Sequence, residues 1–497
     1  MSDKTLNDWQ AAATALKIDG QAFINGRRCS SSSGETRPTL NPANGETLTN
    51  VAYCNAEDAN TAIATSRATF ESGVWSRMAP IDRKMILVRW AELIEKHSDE
   101  IALLETLDVG KPISDTLNVD VGSAVRTIRW SGEAIDKIYN EITPTSSDCL
   151  ALVTREALGV VAAIVPWNFP LSTTAWKLAP SLATGNSVIL KPASNTPLSA
   201  LRIADLAAEA GLPDGVLHVL PGPGGSLGQH LATHMDIDGM TFTGSTPVGK
   251  QLMKYSGQSN LKRTFLELGG KSPNIVFADA NLEKAASSAA LAVYWNSGQT
   301  CTAGTRLIVE ESILDDFLAR VIEESKAWMP GNPMDPATVM GPMIDGAQCN
   351  TVSEYVAIGR AEGAKLVFGG TKTMERTGGH YYEPTIFAGV SNDMRIAQEE
   401  IFGPVLSVLS FKTAEEAVEI ANDSIYGLAG AVWSRDINTA HKVAAAVRVG
   451  TMGINNYFGG DSTVPFGGFK QSGNGRDKSI HAFNDYTELK TTWIEFE

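Results

Sequence analysis

Between Gly159 and Thr243 the sequence alternates short aliphatic, β-branched runs with stretches of helical periodicity, and this alternation constrains the fold more than any other feature. Val160 to Val165 reads as a buried strand, followed by a helical segment near Ser172 to Ala183. Ser187 to Leu190 is a second strand. A helix then starts with Thr196 as cap and Pro197 in its first turn, and stops at Gly211. Val216 to Leu220 is strand, Leu227 to Thr233 helical, and Met240 to Thr243 strand. Such βαβ alternation implies a parallel sheet with helices on its faces. A second alternating region runs from Asn274 to about Asn456. Upstream, Ala22-Phe23-Ile24 precedes the turn signal Asn25-Gly26. Ala56 to Leu107 is helical, and polar residues from Glu141 to Ser147 mark a crossing between subdomains. At 497 residues the chain exceeds one compact core, and the reading is two α/β domains.

The formal charge of −15 excludes function classes. An acidic chain lacks the basic surface that releases counterions from nucleic acid, and it is repelled by anionic lipid headgroups. No apolar run approaches the length of a membrane span, and Met1-Ser2-Asp3-Lys4 opens no signal-peptide core. Five widely spaced cysteines (Cys29, Cys54, Cys149, Cys301 and Cys349) argue for reduced thiols in a cytoplasmic protein.

Cys301 lies in Gly298-Gln299-Thr300-Cys301-Thr302-Ala303-Gly304, among polar neighbours that do not suit an apolar core. Glu267 lies in Glu267-Leu268-Gly269-Gly270-Lys271-Ser272-Pro273, flanked by apolar residues that would shield it and raise its pKa. A thiolate can attack a carbonyl, and a carboxylate can later activate water to release the acyl group. Asn168, in Pro166-Trp167-Asn168-Phe169-Pro170 after the first strand, carries an amide suited to an oxyanion, or serves as a turn asparagine. Gly222-Pro223-Gly224-Gly225-Ser226-Leu227-Gly228 is one residue off the dinucleotide fingerprint and reads better as a glycine-rich turn. Gly244-Ser245-Thr246-Pro247-Val248-Gly249 follows a strand and opens a helix, whose free N–H groups suit a pyrophosphate. Gln251 stands where a P-loop would hold magnesium, which argues against an ATPase. Lys191 ends a strand, where open parallel sheets bind ligands. His230 and His234 lack the glutamate of a zinc-protease motif, and no metal is expected.

These segments resemble the aldehyde dehydrogenase superfamily over essentially the whole chain. The resemblance is carried by Pro166-Trp167-Asn168-Phe169-Pro170, Lys191-Pro192-Ala193, Phe242-Thr243-Gly244-Ser245-Thr246, the Glu267 and Cys301 motifs, Glu399-Glu400-Ile401-Phe402-Gly403-Pro404 and Pro465-Phe466-Gly467-Gly468. It implies an α/β fold with a Rossmann-like NAD(P)-binding domain (residues 1–138 and 159–268), a catalytic domain (269–477) and a small β extension (139–158 and 478–497) that joins subunits into a homodimer or homotetramer. By position, Cys301 resembles the nucleophile, Glu267 the general base, and Asn168 with the Cys301 N–H the oxyanion hole. Lys191 and Glu400 match the positions that hold the two riboses. Gly244 and Ser245 match the loop near the pyrophosphate, and Phe402 and Trp167 the nicotinamide side. Ser194 stands where many NAD-preferring members have a glutamate, so NADP is expected to be tolerated alongside NAD. Asp477 stands where many relatives have glutamate, which puts a proton-relay role in doubt.

Leu103-Leu104-Glu105-Thr106-Leu107-Asp108, Ala134-Ile135-Asp136-Lys137-Ile138-Tyr139 and Gln471-Ser472-Gly473-Asn474-Gly475-Arg476-Asp477-Lys478 resemble a narrower group that oxidises 4-guanidinobutyraldehyde and γ-glutamylaminobutyraldehyde in polyamine breakdown. Trp295, Trp176, Phe169 and Phe466 are candidates for an aromatic tunnel that attracts a substrate cation, with Asp120 as a carboxylate at its mouth. Ordinary core packing is the competing account of these aromatics. The alternatives are a broad-specificity aldehyde dehydrogenase, a CoA-acylating one, which Glu267 disfavours, and a non-catalytic scaffold.

Overall fold

The computed structural model describes residues 4–497. One seven-stranded sheet has the order Arg263–Glu267, Gly239–Thr243, Val160–Ile164, Ser187–Lys191, Leu217–Val219, Ala22–Ile24, Arg27–Cys29. The first five strands run parallel. The Ala22–Ile24 hairpin closes the edge antiparallel, through Asn25 and Gly26 at φ 53° and 76°. Period-two alternation splits the core. Ala163, Val188 and Leu190 pack to one side of the sheet, and Val160, Ala162 and Ile189 to the other. The chain leaves Val160–Ile164 in one direction and returns on its other side at Gly239–Thr243. That reversal is a topological switch point, beyond whose carboxyl ends a crevice opens.

A second seven-stranded sheet has the order Lys365–Phe368, Thr385–Ala388, Val405–Phe411, Arg306–Glu310, Pro273–Val276, Ala429–Trp433, Thr451–Ile454. Only its Lys365–Phe368 edge is antiparallel. A third, antiparallel sheet pairs Thr487–Glu495 with Cys149–Ala157 along all nine residues, and adds Glu141–Thr143. Leu489, Trp493 and Ile142 of this sheet are exposed. Among the described residues no helix is long and apolar enough to cross a membrane.

The helix expected from Thr196 runs Leu198–Ala210, with Gly211 left-handed at its end. Thr196 does not cap it. The buried Asp108 carboxylate, from the helix Ser98–Val109, accepts from Leu198 N at 2.9 Å. Glu105 of the same helix accepts from Leu171 N at 3.2 Å, in the first turn of Pro170–Ala183. One buried helix therefore satisfies the amino ends of two others, a tertiary cap that local sequence does not reveal. Asp120 sits in a π-helical turn, Thr116–Val121, whose extra residue swings that side chain inward.

Candidate active site

A cavity of about 1170 Å³ lies between the carboxyl ends of the first sheet and the amino ends of the second. Trp167 and Asn168 enter it from beyond the strand Val160–Ile164, and Gly244 and Ser245 from beyond Gly239–Thr243. Cys301 enters from the loop before Arg306–Glu310, and Glu400 and Phe402 from the loop before Val405–Phe411. Phe169, Trp176, Trp295 and Phe466 form an aromatic wall of the same cavity.

The loop that carries Cys301 is held in an unusual shape. Asn296, Ser297 and Gly298 are left-handed in succession, at φ 50°, 56° and 71°. A Cβ at residue 298 would lie 2.2 Å from the Gly403 carbonyl oxygen, so glycine is required there. Asn296 Nδ2 donates to the Asn168 carbonyl at 3.1 Å, and Ser297 Oγ to the Gly341 carbonyl at 2.8 Å. Gln299 Oε1 accepts from Ile344 N at 2.8 Å, and Tyr457 Oη donates to the Thr302 carbonyl at 2.7 Å. Asn168 Nδ2 donates one hydrogen to the Gln299 carbonyl at 2.9 Å, which leaves its second amide hydrogen for the cavity.

Cys301 is half-buried, and burial together with the carboxylates of Glu400 and Glu267 pushes its thiol up to about 12. The ionised sulfur expected from the motif is therefore not the resting form. Glu267 is buried and does not line the cavity. Its side chain lies in a recess where a Cβ on Gly467 would come within 2.6 Å of Oε1, and neither carboxylate oxygen has a partner. Burial, and then Asp477, push it well above the usual carboxylate range. Glu400 accepts from Gly270 N at 3.0 Å and is pushed up by burial to about 7.

Gly244 and Ser245 lead into the amino end of the helix Thr246–Gly257. Ser245 at its N-cap makes no side-chain bond to it, so the first-turn N–H groups keep their capacity for an anion. Phe402, at φ 58°, stands edge-on to Trp167 at 5.2 Å. Lys191 and Ser194 lie outside the wall of this cavity. Lys191 is buried, donates to the Pro192 carbonyl at 2.9 Å and is pulled down to about 8 by desolvation. Ser194 Oγ donates to the Gly222 carbonyl at 2.9 Å and borders a second, smaller cavity.

Asp120 does not reach the tunnel mouth. It is wholly buried, and both its oxygens accept from Lys111 Nζ at 2.9 Å. A carboxylate there needs a cation partner more than a substrate, since an unpaired buried charge is costly. The aromatic wall also differs from expectation. Lys111 Nζ sits 3.6 Å from the Phe169 ring centre. Lys478 Nζ sits 5.1 Å from that of Trp176 and 5.6 Å from that of Phe466. The protein's own ammonium groups thus already sit over three of the four rings, Phe169, Trp176 and Phe466. Trp295 packs at 5.2 Å against both Phe169 and Phe458, and its indole N–H donates to Asp115 at 3.0 Å.

The aldehyde dehydrogenase family model matches residues 29–492. The chain belongs to the aldehyde dehydrogenase family. It is 51% identical over 490 residues to the NADP/NAD-dependent aldehyde dehydrogenase PuuC of Escherichia coli (strain K12), covering 98% of each chain. Among solved structures it is similar to the P. syringae AldA indole-3-acetaldehyde dehydrogenase mutant in complex with NAD+ and IAA, with 59% identity, TM-score 0.98 and coverage of 99% and 100%. It is also similar to the gamma-glutamyl-gamma-aminobutyraldehyde dehydrogenase of Burkholderia cenocepacia J2315, with 51% identity, TM-score 0.98 and the same coverage. The protein is thus an oxidoreductase that acts on aldehydes.

Three features of this dehydrogenase escaped the sequence reading. Lys177 pairs with Asp477 at 2.7 Å, both buried beside Glu267. Their 300-residue separation leaves no local signal. Lys111 carries no motif that sets it apart from a surface lysine, and the segment that ends at Lys478 gives no sign that its ammonium folds onto Trp176 and Phe466.

Because the Cys301 thiol is pushed up, the free enzyme holds it neutral at pH 7, and its thiolate fraction grows with pH. Alkylation of Cys301 by iodoacetamide should therefore accelerate with each step in pH up to about 10 without levelling. A plateau near pH 7, followed by peptide mass mapping, would contradict this account of the resting site.

Proposed function

We propose that this aldehyde dehydrogenase oxidises an aminoaldehyde of polyamine breakdown, of the γ-glutamylaminobutyraldehyde or 4-guanidinobutyraldehyde type, to the carboxylic acid with NAD or NADP. The observation that carries the reading is Cys301 at the meeting of the Asn168 amide, an aromatic wall and an uncapped helix amino end in one cavity. The Burkholderia relative's name points to the γ-glutamyl substrate.

The residues divide the work. Cys301 gives up its thiol proton to water in the cavity, its Sγ bonds to the aldehyde carbon as the C=O π bond opens, and the second Asn168 amide hydrogen, with the Cys301 N–H, stabilises the oxygen as it gains charge. When bound, a nicotinamide dinucleotide supplies the two-electron acceptor that turns the thiohemiacetal on sulfur into a thioester. The site's chemistry fits that group. The free first turn of Thr246–Gly257 suits a pyrophosphate, Glu400 a ribose hydroxyl, and Trp167 with Phe402 the nicotinamide side. Lys191 and Ser194 would serve the adenosine end, and Ser194 brings no carboxylate to repel a 2′-phosphate. Glu267 then leaves its recess, loses its proton to solvent as its carboxyl is rehydrated, and as a carboxylate takes a proton from the water that cleaves the thioester, so no acyl-accepting thiol is needed.

In this reading residues 1–138 with 159–268 bind the cofactor, 269–477 carry catalysis, and 139–158 with 478–497 join subunits into a homodimer or homotetramer. The exposed Leu489, Trp493 and Ile142 support the last point. Sedimentation should give a multiple of the 53.0 kDa chain, and Trp493→Asp should lower it. A monomeric wild-type enzyme would refute the extension's role. Five free cysteines support a reducing, cytoplasmic setting, which cell fractionation would check.

Steady-state assays with γ-glutamylaminobutyraldehyde, 4-guanidinobutyraldehyde, indole-3-acetaldehyde and hexanal decide the substrate. The γ-glutamyl or guanidino compound should have the highest kcat/KM, and the higher rate on hexanal would reject the reading. NAD and NADP should both support turnover, within about a thousandfold of each other in kcat/KM, since no carboxylate selects between them. Asn168→Ala should cost about 10²- to 10³-fold in kcat, and an unchanged rate would remove Asn168 from the oxyanion site.

A further inference from the structure

The cavity's solvent-facing rim is charged in a way the catalytic reading does not use. Arg126 and Lys478 both line the cavity. Neither makes an ion pair or a side-chain hydrogen bond to a carboxylate among the described residues. Arg126 is exposed, on the helix Gly122–Ala134, one turn beyond Ser123, whose hydroxyl accepts from the Trp176 indole N–H at 3.2 Å. Lys478 is half-buried, and its ammonium is anchored over Trp176 and Phe466. Its backbone is left-handed at φ 61°, as is that of Ser479 at φ 54°, a conformation that L side chains seldom adopt. Asp461 is the third charged group of the rim. One of its oxygens accepts from Thr463 N at 2.7 Å and from Thr463 Oγ1 at 2.6 Å. Asp461, Arg126 and Lys478 lie within electrostatic reach of one another. Of the other acids of the wall, Asp477 is committed to Lys177 at 2.7 Å, and Glu400 accepts from Gly270 N at 3.0 Å.

Two cations and one carboxylate at the outer end of an aromatic channel do not suit a substrate that ends in a bare ammonium or guanidinium. That group would meet Arg126 and Lys478 as like charges. They suit a terminus that carries a carboxylate, and the lone acid gives a place for an ammonium beside it.

We propose that Arg126, Lys478 and Asp461 form a subsite for an α-amino-acid headgroup at the end of the aldehyde remote from Cys301. Arg126 and Lys478 receive the carboxylate, and Asp461 receives the ammonium. Trp176 and Phe466 hold Lys478 in place and cover the methylene chain between headgroup and carbonyl. The inference rests on the aldehyde dehydrogenase reading above and narrows its substrate to the γ-glutamyl kind over the guanidino kind, because a γ-glutamyl group ends in an α-ammonium and an α-carboxylate.

The test compares kcat/KM for three aldehydes on the same aminobutyraldehyde chain. They are the γ-glutamyl compound, its glutaryl analogue with the carboxylate alone, and its N-acetyl analogue with neither charge. The γ-glutamyl compound should exceed the N-acetyl compound by about tenfold or more, chiefly through KM. Lys478→Gln and Arg126→Gln should each shrink that ratio by about tenfold, and Lys478→Arg, which keeps the charge, should retain it. Asp461→Asn should reduce the advantage of the γ-glutamyl over the glutaryl compound. Equal use of the γ-glutamyl and N-acetyl compounds by the wild-type enzyme, or an unchanged ratio in the Lys478→Gln/Arg126→Gln double variant, overturns the subsite while leaving dehydrogenase turnover intact. Absence of turnover on all three aldehydes overturns the underlying reading as well.

Discussion

The position of Cys301 depends on a strained turn held by its neighbours. Left-handed backbone at Asn296 and Ser297 costs about 1–3 kcal/mol for each non-glycine residue, and it persists only where the surroundings over-determine it. They do so here through side chains. Asn296 donates to the carbonyls of Asn168 and Gln299, Ser297 to Gly341, and Asn168 in turn to Gln299. Asn168 and the loop that carries Cys301 are thus built into one hydrogen-bonded unit that spans the two sheets. Gly270 completes it, since a Cβ there would lie 2.3 Å from the Cys301 carbonyl oxygen.

Burial sets the protonation of this unit. Cys301, Glu267 and Glu400 are all shifted towards their neutral forms, each with desolvation as the leading cause. A neutral thiol is protected from oxidation and stray alkylation until a ligand changes its surroundings. Glu267, shifted towards its neutral form and unpartnered in its glycine-lined recess, is stored away from the cavity. The buried Lys177–Asp477 pair beside it places one positive and one negative charge in its field.

What the sequence made legible was local. Strand runs such as Ser187–Lys191, and the turn at Asn25-Gly26, are written in neighbouring residues, and the sheets fall within a residue or two of those runs. The motifs around Asn168, Glu400 and Cys301 pointed to one cavity because each lies where a strand meets a loop. The misses lie in contacts between residues that are not neighbours in sequence. Asp108 caps a helix ninety residues away, which displaced the expected Thr196 cap. Asp120 looked like a free carboxylate because its partner Lys111 is nine residues off, across a π-helical turn. The aromatics were read as bait for a substrate cation because nothing in a linear sequence reveals that Lys111 and Lys478 fold onto them. The sign of charge at a binding site is a property of three-dimensional neighbours, and net charge says little about it.

The central claim is that Cys301 carries the acyl group between oxidation and hydrolysis, with Glu267 required only for the second step. Intact-mass analysis of the Glu267→Gln enzyme, quenched after mixing with aldehyde and NAD, tests it most directly. The account predicts a stoichiometric acyl adduct that maps to the Cys301 peptide. Continued steady turnover with no adduct, or an adduct on another cysteine, would contradict it.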